Sequence, residues 1–194
     1  TFSQPWRTIY KAANMVIPGD IVYIREGIYK ESINLYKSGT ENQLIQFIAY
    51  PGETTVIDGN NQFPNSYSAL LSISGDWVQV SGFEVRNSKY IGVGLFGKHD
   101  FVDAVYSHHN QENGILITGD YGTVENNQVW RNVLSNEYGR LGYGSTGISA
   151  ARDVDGITEY AIIRKNIVWE NWGEGISSFE ANQIIIENNI SHNN

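Results

Sequence analysis

The feature that most constrains this chain is a repeat. The segments "FVDAVYSHHN" (101–110), "TVENNQVWRN" (123–132), "IIRKNIVWEN" (162–171) and "IIENNISHNN" (185–194) superpose residue on residue. In that register Val102, Val124, Ile163 and Ile186 coincide. So do Asn127, Asn166 and Asn189, and so do Asn110, Asn132, Asn171 and Asn194. "VSGFEVRNS" (80–88) extends the series one step towards the N terminus. The steps are 22, 22, 39 and 23 residues, a base period of about 22 with one enlarged member. Each period holds three short alternating apolar stretches, such as "AIIR", "IVW" and "GISS". One period cannot bury its apolar face alone. Stacked periods bury a continuous column and pair their backbones along the stack. The pattern predicts an all-β, right-handed parallel β-helix forming one domain over 1–194, with regular coils over 77–194.

Like should then sit on like. Val85, Ser107, Val129, Val168 and Ser191 are expected to form one inward column, and Val93, Ile115, Ile148 and Ile176 another. Asn127, Asn166 and Asn189 are expected to form an asparagine ladder in a bend, where each amide can bond the next. The chain breaks off in this pattern. "NNISHNN" (188–194) stops before the "GI" strand that should complete the coil. The expectation is an N-terminal portion of a longer solenoid, its open end covered by the rest of the chain or by a partner.

Composition narrows the function. A net charge of −8 argues against nucleic acid, which needs a basic face. With no Cys there is neither a disulfide framework nor a thiolate metal site. No apolar run reaches the roughly 20 residues that span a bilayer. Near the start, Pro5 followed by Trp6, Ile9, Ala12, Ala13 and Val16 at helical spacing predicts an amphipathic helix over 4–16, placed to cap the apolar column.

That opening, "QPWRTIYKAANMVIPGDIVYIREGIYKESINLYKSGT…LIQFIAYPGETTVIDG", resembles the start of bacterial β-helix proteins of the pectate-lyase-like superfamily, in the style of lyases acting on alginate, chondroitin or pectate. The resemblance covers nearly the whole chain. It implies an extracellular or cell-surface, carbohydrate-active β-helix with a polysaccharide partner and Ca2+ as a candidate cofactor. It also implies a cleft along the strands "GVGL" (92–95), "GILI" (114–117), "GISA" (147–150) and "GISS" (175–178). Hydrolases of this superfamily carry paired Asp on that strand, and lyases carry basic or Ca2+-binding residues near it. Here the outward positions are Gly94, Leu116, Ser149 and Ser177, all uncharged. A non-catalytic structural or adhesive β-helix is therefore the alternative.

Loop lengths supply the positional clue. Gly114, Gly147 and Gly175 are 33 and 28 residues apart, so insertions of 11 and 6 residues flank the strand 147–150. Long loops on a rigid scaffold are where function concentrates. The first insertion holds Tyr138, Arg140 and Tyr143; the second holds Arg152, Asp153 and Asp155; Glu174 sits just before the neighbouring strand. Uronate β-elimination needs a base for the C5 proton and a cation for the developing charge. Arg140 or Arg152, with Tyr138 or Tyr143, are the candidates for these roles. Asp153, Asp155 and Glu174 are the candidate Ca2+ ligands; in a hydrolase, two of those carboxylates would act as acid and base. Ser149 and Ser177 on the strand, and Trp130 and Trp169 aligned outward on adjacent coils, are candidate sugar contacts.

Overall fold

The computed structural model describes residues 5–136, 145–152 and 156–194. Among these residues three long parallel sheets hold seven, seven and six strands. The first sheet runs from Ile21–Ile24 to Ile185–Glu187, the second from Gly27–Tyr29 to Ile190–His192, and the third from Ile33–Leu35 to Glu174–Phe179. Each coil contributes one strand to each sheet in turn, which makes a parallel β-helix. The register predicted from the repeat holds: Val102 pairs with Val124, Val124 with Ile163, and Ile163 with Ile186.

The coils begin earlier than residue 77. Ile21 pairs with Gln46 and Gln46 with Gln79, so the first sheet already starts at the first strand. These early steps are 25 and 33 residues, and their irregular connections hide the period that the later coils display. The helix is also shorter than expected, Ile9–Met15. Thr8, not Pro5, opens it: the Thr8 hydroxyl accepts from Lys11 N–H. The Glu31 carboxylate, from the first coil, accepts from the N–H groups of Ile9 and Tyr10, both at 3.0 Å. Trp6 lies outside the helix and is exposed. The buried face (Ile9, Ala12, Ala13) packs into the core beside Ile24, Ile33 and Leu35.

The inward columns are continuous. Val85, Ser107, Val129 and Val168 are fully buried, as are Val93, Ile115 and Ile148. Two rows of hydrogen-bonded amides run beside them. Asn127 donates to Asn166 and Asn166 to Asn189, at 2.9 and 3.0 Å, in the bend between the first and second sheets. Asn110, Asn132, Asn171 and Asn194 do the same between the second and third, at 2.8 to 3.0 Å. The glycines that open the third-sheet strands make room for this second row. A side-chain carbon at Gly92, Gly114 or Gly147 would lie 2.5, 2.7 or 2.8 Å from the amide nitrogen of Asn110, Asn132 or Asn171.

The corners use left-handed backbone, for the most part at residues other than glycine. Ala104, Asn126 and Lys165 (φ 51°, 57° and 56°) turn the chain from the first sheet to the second. His109, Arg131 and Glu170 (φ 55°, 49° and 52°) turn it from the second to the third. Trp77, His99, Tyr121 and Tyr160 turn it back to the first, with φ between 58° and 60°.

Candidate functional site

The strand Thr146–Ala151 pairs along its length with Glu174–Phe179. Behind it the outward row of the third sheet continues through Leu116, Gly94, Ser72 and Asn34. Both insertions leave from this strand pair, and their ends are fixed. At the start of the first, the N–H groups of Val133, Leu134 and Ser135 donate to the carbonyls of Glu112, Asn110 and Gln111, and the Asn136 amide donates to Trp172 O. At its end, the Ser145 hydroxyl donates to the buried Glu112 carboxylate at 2.5 Å. The second begins at Arg152, whose N–H donates to Phe179 O. It returns at Thr158, whose hydroxyl donates to Thr118 O and Ala151 O.

The candidate residues divide accordingly. Ser149 and Ser177 stack outward with hydroxyl oxygens 3.2 Å apart, but Ser149 is only 2% exposed, so it forms a floor beneath other groups. Arg152 is exposed at the C-terminal end of its strand, and its Nε meets the Glu180 carboxylate at 2.7 Å. Glu174 is the first residue of the neighbouring strand, opposite Thr146, and not before it as expected from the sequence. Six residues of nearly extended chain, about 20 Å, separate that level from Arg152. The register thus sets Glu174 apart from the start of the second insertion. Tyr138, Arg140, Tyr143, Asp153 and Asp155 lie outside the described residues. Among the described residues no three carboxylate or histidine groups gather to hold a metal ion.

Trp130 and Trp169 are on the second sheet, away from the two serines. Their rings stack on each other at 4.9 Å and 6°. His108 covers the other face of Trp130 at 4.3 Å. A sugar ring therefore meets mainly their edges. Below them a polar network closes the sheet. Arg86 bridges Asp58 and Glu84 (2.9 and 2.6 Å), and His108 Nε2 reaches Glu84 at 3.3 Å. Burial first, then the neighbouring His109, lowers the His108 pKa and favours the neutral ring. Donation from Nε2 to Glu84 leaves Nδ1 to accept from His109 Nδ1, 2.7 Å away.

The sequence reading missed Glu112 and Ser145, which anchor the first insertion, because their contact spans 33 residues.

A solenoid whose third sheet is bordered by anchored insertions has the form of a polysaccharide-lyase-like β-helix. The chain belongs to the Pel9A-like right-handed β-helix family, which matches residues 1–194. Pectate lyase L of Paenibacillus polymyxa is 27% identical over 82% of this chain and 36% of its own length. Pectate lyase PEL9 of Emericella nidulans is 24% identical over 93% of this chain and 46% of its own. The chain thus spans less than half the length of these relatives. The crystal structure of pectate lyase Pel9A superposes with a TM-score of 0.83 at 25% identity, covering 100% of this chain and 51% of that one. An alginate lyase from a Paenibacillus species shares the fold, with a TM-score of 0.67 at 16% identity over 94% of this chain and 72% of that one.

Proposed function

We propose that this chain is part of an extracellular lyase that cleaves an acidic polysaccharide by β-elimination, in a cleft over the strands Thr146–Ala151 and Glu174–Phe179. The observation that carries the reading is the pair of insertions, both anchored at the ends of one strand pair, with the exposed Arg152 at its edge. The named activities of the relatives support it. An extracellular site of action follows from a polymeric substrate too large to enter a cell.

In the reaction a base removes the C5 proton of a uronate. The electron pair forms the C4–C5 double bond, the C4–O bond breaks, and the departing oxygen takes up a proton. The Arg152 guanidinium, held by Glu180 through Nε, suits stabilising the carboxylate as charge builds. Tyr138 or Tyr143 is then the base candidate, taking the C5 proton and returning one to the leaving oxygen, with Arg140 as a second cation. The hydroxyl pair of the buried Ser149 and the half-buried Ser177 forms the floor. The described residues do not by themselves make a Ca2+ site, and no step above runs through the ion. Asp153 and Asp155 are the carboxylates that would hold it; Glu174, at the opposite end of the strand pair, would not join them. When bound it would supply positive charge against the substrate carboxylate.

The test is incubation with polygalacturonate, alginate and glycosaminoglycans, with Ca2+ or with a chelator, followed by ultraviolet absorbance of unsaturated ends. Arg140→Ala and Arg152→Ala should each lower turnover about 10²–10³-fold. For Arg152→Ala the melting temperature should hardly move, since so exposed a side chain contributes little to folding. Activity insensitive to chelation removes the Ca2+ assignment. A second reading, a non-catalytic β-helix that binds or builds with polysaccharide, is favoured by the uncharged outward row Ser72, Gly94, Leu116, Ser149 and Ser177. Binding without any unsaturated product selects it.

A further inference from the structure

We propose that Glu112 is a positioning residue for the reaction: it closes both ends of the first insertion and so sets where that insertion's base candidates, Tyr138 or Tyr143, stand relative to a sugar over the strand Thr146–Ala151. The proposal rests on the lyase reading above and adds to it a residue that touches neither the substrate nor the reacting atoms.

One carbonyl and one carboxylate of the same residue do the holding. Where the insertion begins, Val133 N–H donates to Glu112 O at 3.0 Å. Where it returns, the Ser145 hydroxyl donates to the Glu112 carboxylate at 2.5 Å. Glu112 is itself tied one coil back, its N–H donating to Tyr90 O at 3.0 Å. Strand register sets the two residues side by side: Ile115 pairs with Ile148, and Glu112 and Ser145 each stand three residues before. The next coil shuts the other side. Thr146 pairs with Glu174, so Gly173 follows Ser145 in the stack, and a side-chain carbon at Gly173 would lie 2.2 Å from Ser145 O. Ser145 thus enters the floor strand between Glu112 and a close backbone. The second insertion is built differently. It closes on its own base, where the Thr158 hydroxyl donates to Ala151 O.

Two features mark this clamp as more than a loop tie. Val133 has φ 63° although it is β-branched and fully buried. Valine resists left-handed backbone, so the surrounding coils must impose it, and such outliers cluster at functional sites. Glu112 is 6% exposed, and no Lys, Arg or His among the described residues pairs with its carboxylate. A buried carboxylate met by one hydroxyl carries a desolvation cost that an apolar contact would avoid. Local rules are broken in this way where position matters more than stability. Position matters to a base: it must reach the C5 proton, and a misplacement of about 1 Å lowers turnover by up to about 10²-fold.

The experiment is steady-state kinetics of unsaturated-product formation by the full-length protein on polygalacturonate, with kcat and KM separated. Glu112→Ala should lower kcat about 10–100-fold and leave KM within about twofold. Ser145→Ala should lower kcat to a similar degree. The double variant should be no slower than the slower single one, because both changes remove one contact. Glu112→Gln keeps an oxygen that accepts from Ser145 and should hold kcat within about threefold of wild type. If Glu112→Ala does not fold, Ser145→Ala and Glu112→Gln carry the same test. Hydrogen exchange of the Val133 and Ser135 amides reads the clamp without activity, and in Ser145→Ala it should quicken about tenfold. Faster exchange with unchanged kcat makes the contact merely structural and overturns the proposal. So does a rise in KM alone, or additive losses in the double variant. A Gln variant as slow as the Ala variant overturns it too, since charge and not position would then be at work. Wild-type kcat in every variant rejects the positioning role and leaves the lyase reading in place. A wild type that yields no unsaturated product rejects both.

Discussion

The second and third sheets have the same construction and opposite outer faces. Both stack parallel strands over one apolar core, and both border the same row of amides, Asn110, Asn132, Asn171 and Asn194. On the second sheet the outward side chains are large and consume one another: His108, Trp130 and Trp169 stack, and Arg86 joins Asp58 to Glu84. On the third sheet the outward row is small, with Ser72, Gly94, Ser149 and Ser177, and the bulk stands at the rims. The second sheet closes its surface with large groups stacked on one another, whereas the third closes its surface with small ones, Ser149 against Ser177, and with Phe96 folded over Gly94.

The comparison can be tested by substitution, beginning with the core that both sheets share. Ile148→Ala, in the inward column of the third sheet, should cost about 2–5 kcal/mol, because neighbouring coils cannot collapse into the cavity. Urea denaturation measures it. A loss near zero would mean that the strand faces are exchanged, since a slip of one residue swaps them. Trp169→Ala, on the closed second sheet, should cost about 1–3 kcal/mol through lost ring stacking. Its steady-state rate on polygalacturonate should stay within twofold of wild type. A large fall in rate with unchanged stability would place the binding face on the second sheet. The smallest effect is expected at Ser149→Ala, which exchanges one hydroxyl contact to Ser177 for an apolar group of similar size. A cost below about 1 kcal/mol should appear in the melting curve.

Much of this architecture could be read from the chain. The alternation within 101–194 gave the strand faces, and the recurring Asn127, Asn166 and Asn189 gave the position of one bend, because stacked coils repeat the same environment at the same step. The first coils were not legible in that way. Their connections vary in length, so Ile21, Gln46 and Gln79 share no fixed spacing although they are hydrogen-bonded neighbours. The candidate site was legible only as excess loop length on either side of 147–150. Arg152 and Ser149 were found that way. Glu112 was not, since it matters through Ser145, 33 residues away in the chain.

The sequence by itself determined that this chain stacks coils, which residues line the core of the later coils, and where the insertions fall. Those properties depend on periodicity, and a periodic pattern is local information written repeatedly. Only the tertiary structure decided which outward groups are spent. Trp130 and Trp169 look like sugar platforms as isolated residues, yet stacking at 4.9 Å covers the faces that a sugar would need. The corners show the same division. Ala104, Arg131, Glu170 and Trp77 adopt left-handed backbone that an L-residue resists by about 1–2 kcal/mol. What offsets that cost is contact with neighbouring coils, such as the hydrogen bonds from the N–H groups of Trp77, Ala104 and Arg131 to the carbonyls of Lys98, Glu125 and Trp169.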